Sequence, residues 1–163
     1  MKTLYLVRHA KSSWEFSDLS DFERPLNNRG KNDAPVVGKF LKSQQILPDL
    51  MLSSPAVRAL HTATIIAREI GYHQNIQVNE KMYHAHTPEL WHIVKSVPDK
   101  VNELMIFGHN PSFTEFANEM VTQVIDNLPT CGVFAVNWHI KSWNDIKKGE
   151  GKFKFFEFPK NLK

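Results

Sequence analysis

One cysteine, Cys131, is all the 163-residue chain contains, so no intramolecular disulfide can staple it and its fold must rest on burial of apolar surface. No apolar run approaches the ~20 residues needed to span a bilayer, which excludes a transmembrane helix and leads us to expect no membrane partner. A secretory leader is equally unexpected, because Arg8 and His9 interrupt the first apolar stretch. With a single thiol, these readings point to a cytoplasmic protein. Strong charge of one sign is also missing. Twenty Lys and Arg stand against 17 Asp and Glu, a net +3, and the two signs alternate along most of the chain. Lys147, Lys148, Lys152, Lys154, Lys160 and Lys163 are interleaved with Glu150, Glu157 and apolar residues, with no recognition motif beside them. Nucleic acid is therefore not an expected partner. Repeats, low-complexity tracts and linkers are absent, so residues 1–163 are read as one domain.

What is present is an alternation of apolar runs with helical patterns. Residues 3 to 7 form a run of β-branched, aromatic and aliphatic side chains that reads as a buried parallel strand. A Ser-, Asp- and Trp-containing stretch from Lys11 to Asn28 has no helical period and is long enough to be a functional loop. From Arg29 to Ser43, Val36, Val37, Phe40 and Leu41 make a helical stripe, with Pro35 marking a late start or a kink. A strand at Leu50 to Ser53 feeds a helix for which Ser54 is the expected N-cap, Pro55 the first residue and Gly71 the stop. Next come a short strand near Ile76 to Val78 and a helix from Pro88 to Ser96. A strand at Leu104 to Phe107 then leads through Asn110-Pro111-Ser112 into a helix ending near Val124. The segments Val133 to Trp138 and Lys152 to Phe158 alternate as antiparallel strands, with a turn at Lys147 to Gly151. The expected architecture is a three-layer α/β/α fold around a mostly parallel mixed sheet.

Three strand ends carry the chemistry. The first delivers Arg8-His9, the second leads to Arg58 in the first turn of a helix, and the third delivers Gly108-His109. In open α/β sheets the ligand crevice lies beyond the carboxyl ends of the strands, so two arginines and two histidines can converge on one anion. A phosphoryl group in transfer needs fixed cations or N–H donors around its oxygens. Guanidinium forks supply them at any pH, whereas a histidine offers either a nucleophilic nitrogen or a donor. An attacking histidine must be neutral, with its other N–H held by an acceptor such as a loop carbonyl. Neighbouring arginines favour that neutral form. His109, at a helix start, suits the role of donor to a phosphoryl oxygen.

Leu6-Val7-Arg8-His9-Ala10, Ser53 to Ala59 with Thr62-Ala63, and Gly108-His109-Asn110 together resemble the histidine phosphatase superfamily, also called phosphoglycerate-mutase-like. The modest length and the stretch Asp21-Phe22-Glu23-Arg24-Pro25-Leu26-Asn27-Asn28-Arg29-Gly30 are most similar to its SixA group of phosphohistidine phosphatases. The resemblance implies that His9 is transiently phosphorylated, that Arg8 and Arg58 bind the phosphate with His9 and His109 completing the pocket, and that neither metal nor other cofactor is required. It also implies a phosphorylated substrate. The chain has little length to spare for the insertions with which mutases cover a small molecule, and an open pocket admits a side chain displayed on a protein.

A glutamate acid of the kind usual in the superfamily is not evident around Tyr83-His84-Ala85-His86, and Glu80 and Glu89 sit in no convincing motif. Glu15 stands where many relatives carry Asn. Asp21, Asp18, Glu15 and Glu23 are the acid candidates, with Asp21 ranked first for its place in the Asp-x-x-Arg-Pro-Leu stretch; a solvated acidic loop is the competing reading. Arg24 is expected to pair with an acidic neighbour or to line the pocket mouth. A phosphorylated imidazole can pick up a proton before P–N cleavage and tolerates a weak enzymatic acid. Protein phosphohistidine is therefore the expected substrate. The rivals are a phosphatase or mutase acting on a small phosphorylated metabolite, a phosphate-binding protein without turnover, and a metal site built on His84-x-His86 with His61, His73 or His92. Oligomeric state is open.

Overall fold

The computed structural model describes all 163 residues. Its sheet contains β1 (Lys2–Arg8), β2 (Leu50–Ser53), β3 (Gln77–Val78), β4 (Glu103–Gly108), β5 (Val133–Trp138) and β6 (Lys152–Glu157), in the spatial order β3-β2-β4-β1-β5-β6. The four strands β3, β2, β4 and β1 run parallel, while β5 and β6 are antiparallel additions. This is the mixed sheet anticipated from the sequence.

Why β1 reads as continuously apolar is visible in its two faces. Leu4 and Leu6 point with Leu104 and Ile106 into one core, which α3 (Thr87–Lys95) and α4 (Ser112–Met120) cover. Tyr5 and Val7 point with Met105 and Phe107 into the other, beneath α1 (Asn28–Ser43) and α2 (Val57–Ile70). Side chains alternate across a strand, so a strand covered on both faces has no place for an unpaired polar side chain. A short α5 (Pro159–Leu162), which has no clear sequence signal, packs against α1.

Several helix boundaries differ from the sequence reading. α1 starts at Asn28, capped by the Asn27 side chain, which accepts from the Gly30 N–H at 2.9 Å, and it continues through Pro35 rather than starting late there. α2 begins at Val57 with Ala56 as N-cap, not at Pro55 behind Ser54; the Ser54 hydroxyl accepts instead from the Ala56 N–H at 3.2 Å, ahead of the helix. α4 stops at Met120, short of Val124. Gly71 does terminate α2, in the left-handed conformation (φ 80°) that favours glycine.

Gly30 ties this frame to the loop after β1. A Cβ there would collide with the carbonyl of Lys11, two residues after His9. Gly30→Ala should therefore destabilise the protein despite the better helix propensity of alanine. Overpacking costs about 1–3 kcal/mol and the propensity gain returns about 1. A denaturation midpoint at or above wild type would show that the α1–loop contact is slack.

Candidate active site

β2, β4 and β1 are neighbours in the sheet, so their carboxyl ends lie side by side. What each delivers next in sequence meets at that edge. Arg8 ends β1, and His9 comes directly after it. Ser54 comes directly after β2, with Arg58 in the first turn of α2. His109 comes directly after β4. The structure thus brings Arg8, His9, Arg58 and His109 into one site. The imidazole centroids of His9 and His109 are 5.3 Å apart.

His9 is buried, and its Nδ1 lies 2.7 Å from the carbonyl oxygen of its neighbour Ala10. A carbonyl can only accept, so Nδ1 carries the proton and Nε2 keeps its lone pair. Ala10 is itself fixed, its N–H donating to the Thr62 hydroxyl on α2 at 2.9 Å. Burial first, opposed by the Ala10 bond and reinforced by the charges of Arg58, Arg8 and Arg24, pushes the His9 imidazolium down to about 4. His109 is pushed down to about 3 by burial and then by His9 and Arg58. Its Nε2 is 2.8 Å from Ser54 Oγ.

The guanidiniums are oriented by the chain around them. Arg8 Nη1 donates to the Leu128 carbonyl at 3.1 Å, and the Asn110 amide donates to the same oxygen at 3.0 Å. Arg58 donates from Nη1 to the Asp21 carbonyl at 2.6 Å and from Nη2 to its Oδ2 at 3.0 Å. Yet Arg8 Nε, Arg58 Nε and His109 Nδ1 are buried with no hydrogen-bond partner. A buried unpaired donor costs about 1–3 kcal/mol. Three such nitrogens, on three of the four converging residues, describe a cradle suited to an oxyanion.

Asp21 sits at the centre of a second network. Its carboxylate accepts from Arg58, from Arg24 Nη1 at 2.9 Å and from the Tyr83 hydroxyl at 2.7 Å. Burial works to raise its pKa, but the hydrogen bonds from Tyr83, Arg24 and Arg58 outweigh it and hold the carboxyl well below the usual carboxylate range. An Asp21 so held is ionised and has no proton to give, so its geometry fits an anchor for Arg58 rather than an acid. Glu23 bonds locally to Ser20, while Glu15 and Asp18 are exposed along the same loop. Arg24 pairs with Asp21 in that loop, donates to the Ser13 carbonyl at 3.0 Å and lies 3.3 Å from the centre of the Trp14 ring.

Tyr83 is the site residue that sequence reasoning did not single out. Its ring centroid lies 5.7 Å from that of His109 and 4.0 Å from that of His84. Only its place in the Tyr-His-Ala-His stretch hinted at a role. A cleft of about 500 Å³ opens beside these groups, lined among others by Asp21, Arg58, Tyr83, His84, His109 and Glu115. The structure gathers no three His, Cys, Asp or Glu side chains into a group that could hold a metal, so the histidines of the metal reading are not assembled. No helix is long and apolar enough to cross a membrane.

Protonation of these rings is linked to folding. Both histidines have folded-state pKa values below the ordinary unfolded value of ~6.5, so between pH 6.5 and about 4 the unfolded chain binds more protons than the folded one. Stability is fully present above pH 6.5 and falls as the pH drops, by on the order of 3 kcal/mol from His9 alone. Urea midpoints measured from pH 7.5 to 4.5 should decline accordingly, and less steeply in His9→Gln. An identical slope in that variant would mean that His9 is not held neutral.

The model of the histidine phosphatase superfamily (branch 1) matches residues 4–115, more than half of the chain and all four converging residues. The chain belongs to the histidine phosphatase superfamily. An uncharacterised chloroplastic protein of Arabidopsis thaliana is 32% identical over 154 residues, covering 88% of this chain and 70% of that protein. The 2,3-bisphosphoglycerate-dependent phosphoglycerate mutase of Bradyrhizobium diazoefficiens is 33% identical over 89 residues, which is 50% of this chain but only 43% of the mutase. In fold this superfamily member is similar to the protein histidine phosphatase SixA complexed with tungstate, with a TM-score of 0.85, 20% identity and 99% of both chains covered. The SixA protein of Agrobacterium tumefaciens gives a TM-score of 0.84 at 24% identity, covering 97% of this chain and 98% of the other.

Proposed function

We propose that this protein is a phosphatase that moves a phosphoryl group from phosphohistidine in a protein to water, through a phosphohistidine formed on its own His9. The observation that carries the reading is the Nδ1 contact of His9 with the Ala10 carbonyl, which leaves Nε2 as a neutral nucleophile among Arg8, Arg58 and His109. In the first step Nε2 attacks phosphorus and the bond to the substrate's nitrogen breaks. Water then attacks the phosphoenzyme and restores His9. Arg8 and Arg58 hold the non-bridging oxygens, and His109 donates to one of them when Ser54 gives its hydroxyl proton to Nε2 and Nδ1 carries the N–H. Asp21 positions Arg58.

The choice of a protein substrate is supported by the coverage of the relatives. The fold similarity to SixA extends over nearly the whole of both chains, whereas the matched mutase is more than twice as long as the segment it shares. The test uses a protein carrying a labelled phosphohistidine, with an alkaline quench to preserve acid-labile label. Release of inorganic phosphate together with transient label on the enzyme is expected. Turnover of free phosphoramidates and small phosphoesters, with none of the phosphohistidine protein, would overturn the proposed substrate.

A further inference from the structure

Resting on that reading, the structure assigns His84 as the group that delivers the proton to the leaving atom and takes one back from water in the second step. Transfer to His9 leaves an electron pair on the departing nitrogen or oxygen. Some group must protonate it when the leaving group is a poor one. Each nearer group is accounted for. The His9 lone pair is the nucleophile, the Asp21 carboxylate is fully engaged by two arginines and Tyr83, and His109 is held at Ser54. The arginines do not release protons in proteins.

His84 lines the same cleft as Asp21, Arg58 and His109 and is itself exposed, on the side towards solvent from which a leaving group exits. Its backbone stands at φ 62°, in the left-handed region that non-glycine residues seldom occupy. Such conformations persist where the surroundings hold them, and they cluster at functional sites. Here the ring packs at a tilt against Tyr83, with centroids 4.0 Å apart and planes 35° apart, and the Tyr83 hydroxyl is tied to Asp21. His84 is thus placed relative to the anion cradle by a chain of two contacts. His86 and Glu115 line the cleft as well, but neither has a stacking or hydrogen-bonding contact to Tyr83, Asp21 or His109.

The proton balance closes over the two steps. In the first, the His9 Nε2 pair forms the new N–P bond. The pair of the broken P–N or P–O bond goes to the leaving atom, which takes the proton of the His84 imidazolium. In the second, water oxygen bonds to phosphorus, its proton passes to the now neutral His84, and the N–P electrons return to His9. His84 ends as it began, as does His9.

A series of aryl phosphates of graded leaving-group basicity, from 4-nitrophenyl phosphate to phenyl phosphate, tests the assignment on the intact protein. The variants are His84→Asn, since asparagine tolerates the left-handed backbone, and His84→Gln. Nitrophenolate leaves with little need of a proton. A loss of about tenfold or less is therefore expected there, rising to a hundredfold or more for phenyl phosphate, within the range general acids contribute. The plot of log kcat/KM against leaving-group pKa becomes steeper in both variants. Parallel plots, whether displaced or superimposed, would overturn the role, because a residue that only supports the fold or binds phosphate affects all members alike. Trapping of the phosphoenzyme with 4-nitrophenyl phosphate separates the two levels. Label on His9 with parallel plots removes His84 alone, whereas no label on His9 removes the nucleophile assignment and this one with it.

Discussion

His9→Ala should abolish the acid-labile phosphoenzyme and reduce phosphate release by about 10⁵ to 10⁶, the scale of loss when an enzyme's nucleophile is deleted. The size is set by what remains. Arg8, Arg58 and His109 would still gather around an oxyanion, because their orientation comes from Leu128, Asp21 and Ser54 and not from His9. The variant should accordingly retain binding of inorganic phosphate while losing turnover. Rapid-quench labelling and equilibrium dialysis distinguish these two properties. Turnover within tenfold of wild type would place the nucleophile elsewhere, with His109 the next residue to test.

Arg58→Ala should cost about 3–4 kcal/mol of transition-state stabilisation, a fall in kcat/KM of roughly 10²- to 10³-fold, by analogy with loss of one preorganised donor to a developing anion. Lysine should restore little of it, because a point charge cannot reproduce a fork that holds Asp21 through its two terminal nitrogens. Asp21→Asn is the informative companion. An anchoring role predicts a loss below about tenfold, since the Asp21 backbone carbonyl still accepts from Arg58. A loss as large as that of Arg58→Ala would instead make Asp21 a direct participant, despite the hydrogen bonds that keep it ionised.

How far the sequence discloses this arrangement depends on whether the signal is local. Buried strands announce themselves as apolar runs, and the residues just past a parallel strand face the crevice, so Arg8, His9, Arg58 and His109 are legible from three short stretches. Gly71 is legible because few other residues accept its backbone conformation. Ser54 misleads because a serine before a proline carries a strong capping signal, whereas its hydroxyl accepts from the Ala56 N–H ahead of the helix and also meets a histidine 55 positions away. Tyr83 escapes notice for the same reason. Its partner Asp21 is 62 residues distant, and a lone tyrosine has no spacing to betray it. The acidity of Asp21 is the hardest to foresee. One carboxylate meets three donors from three parts of the chain, and only the assembled fold brings them together.

The turn that opens β5 has a bearing on when this protein can act. The Cys131 amide donates at 3.0 Å towards the carbonyls of both Arg8 and His9, and the Arg8 amide donates to the Gly132 carbonyl at 3.1 Å. His9 is thus translated more than 120 positions before the clasp that fixes its backbone. During synthesis the nascent chain carries a histidine without its setting. Competence for phosphoryl transfer is therefore expected only once β5 has closed against β1. Fragments ending before that strand should be catalytically silent, and catalysis is in effect a timestamp for completed folding.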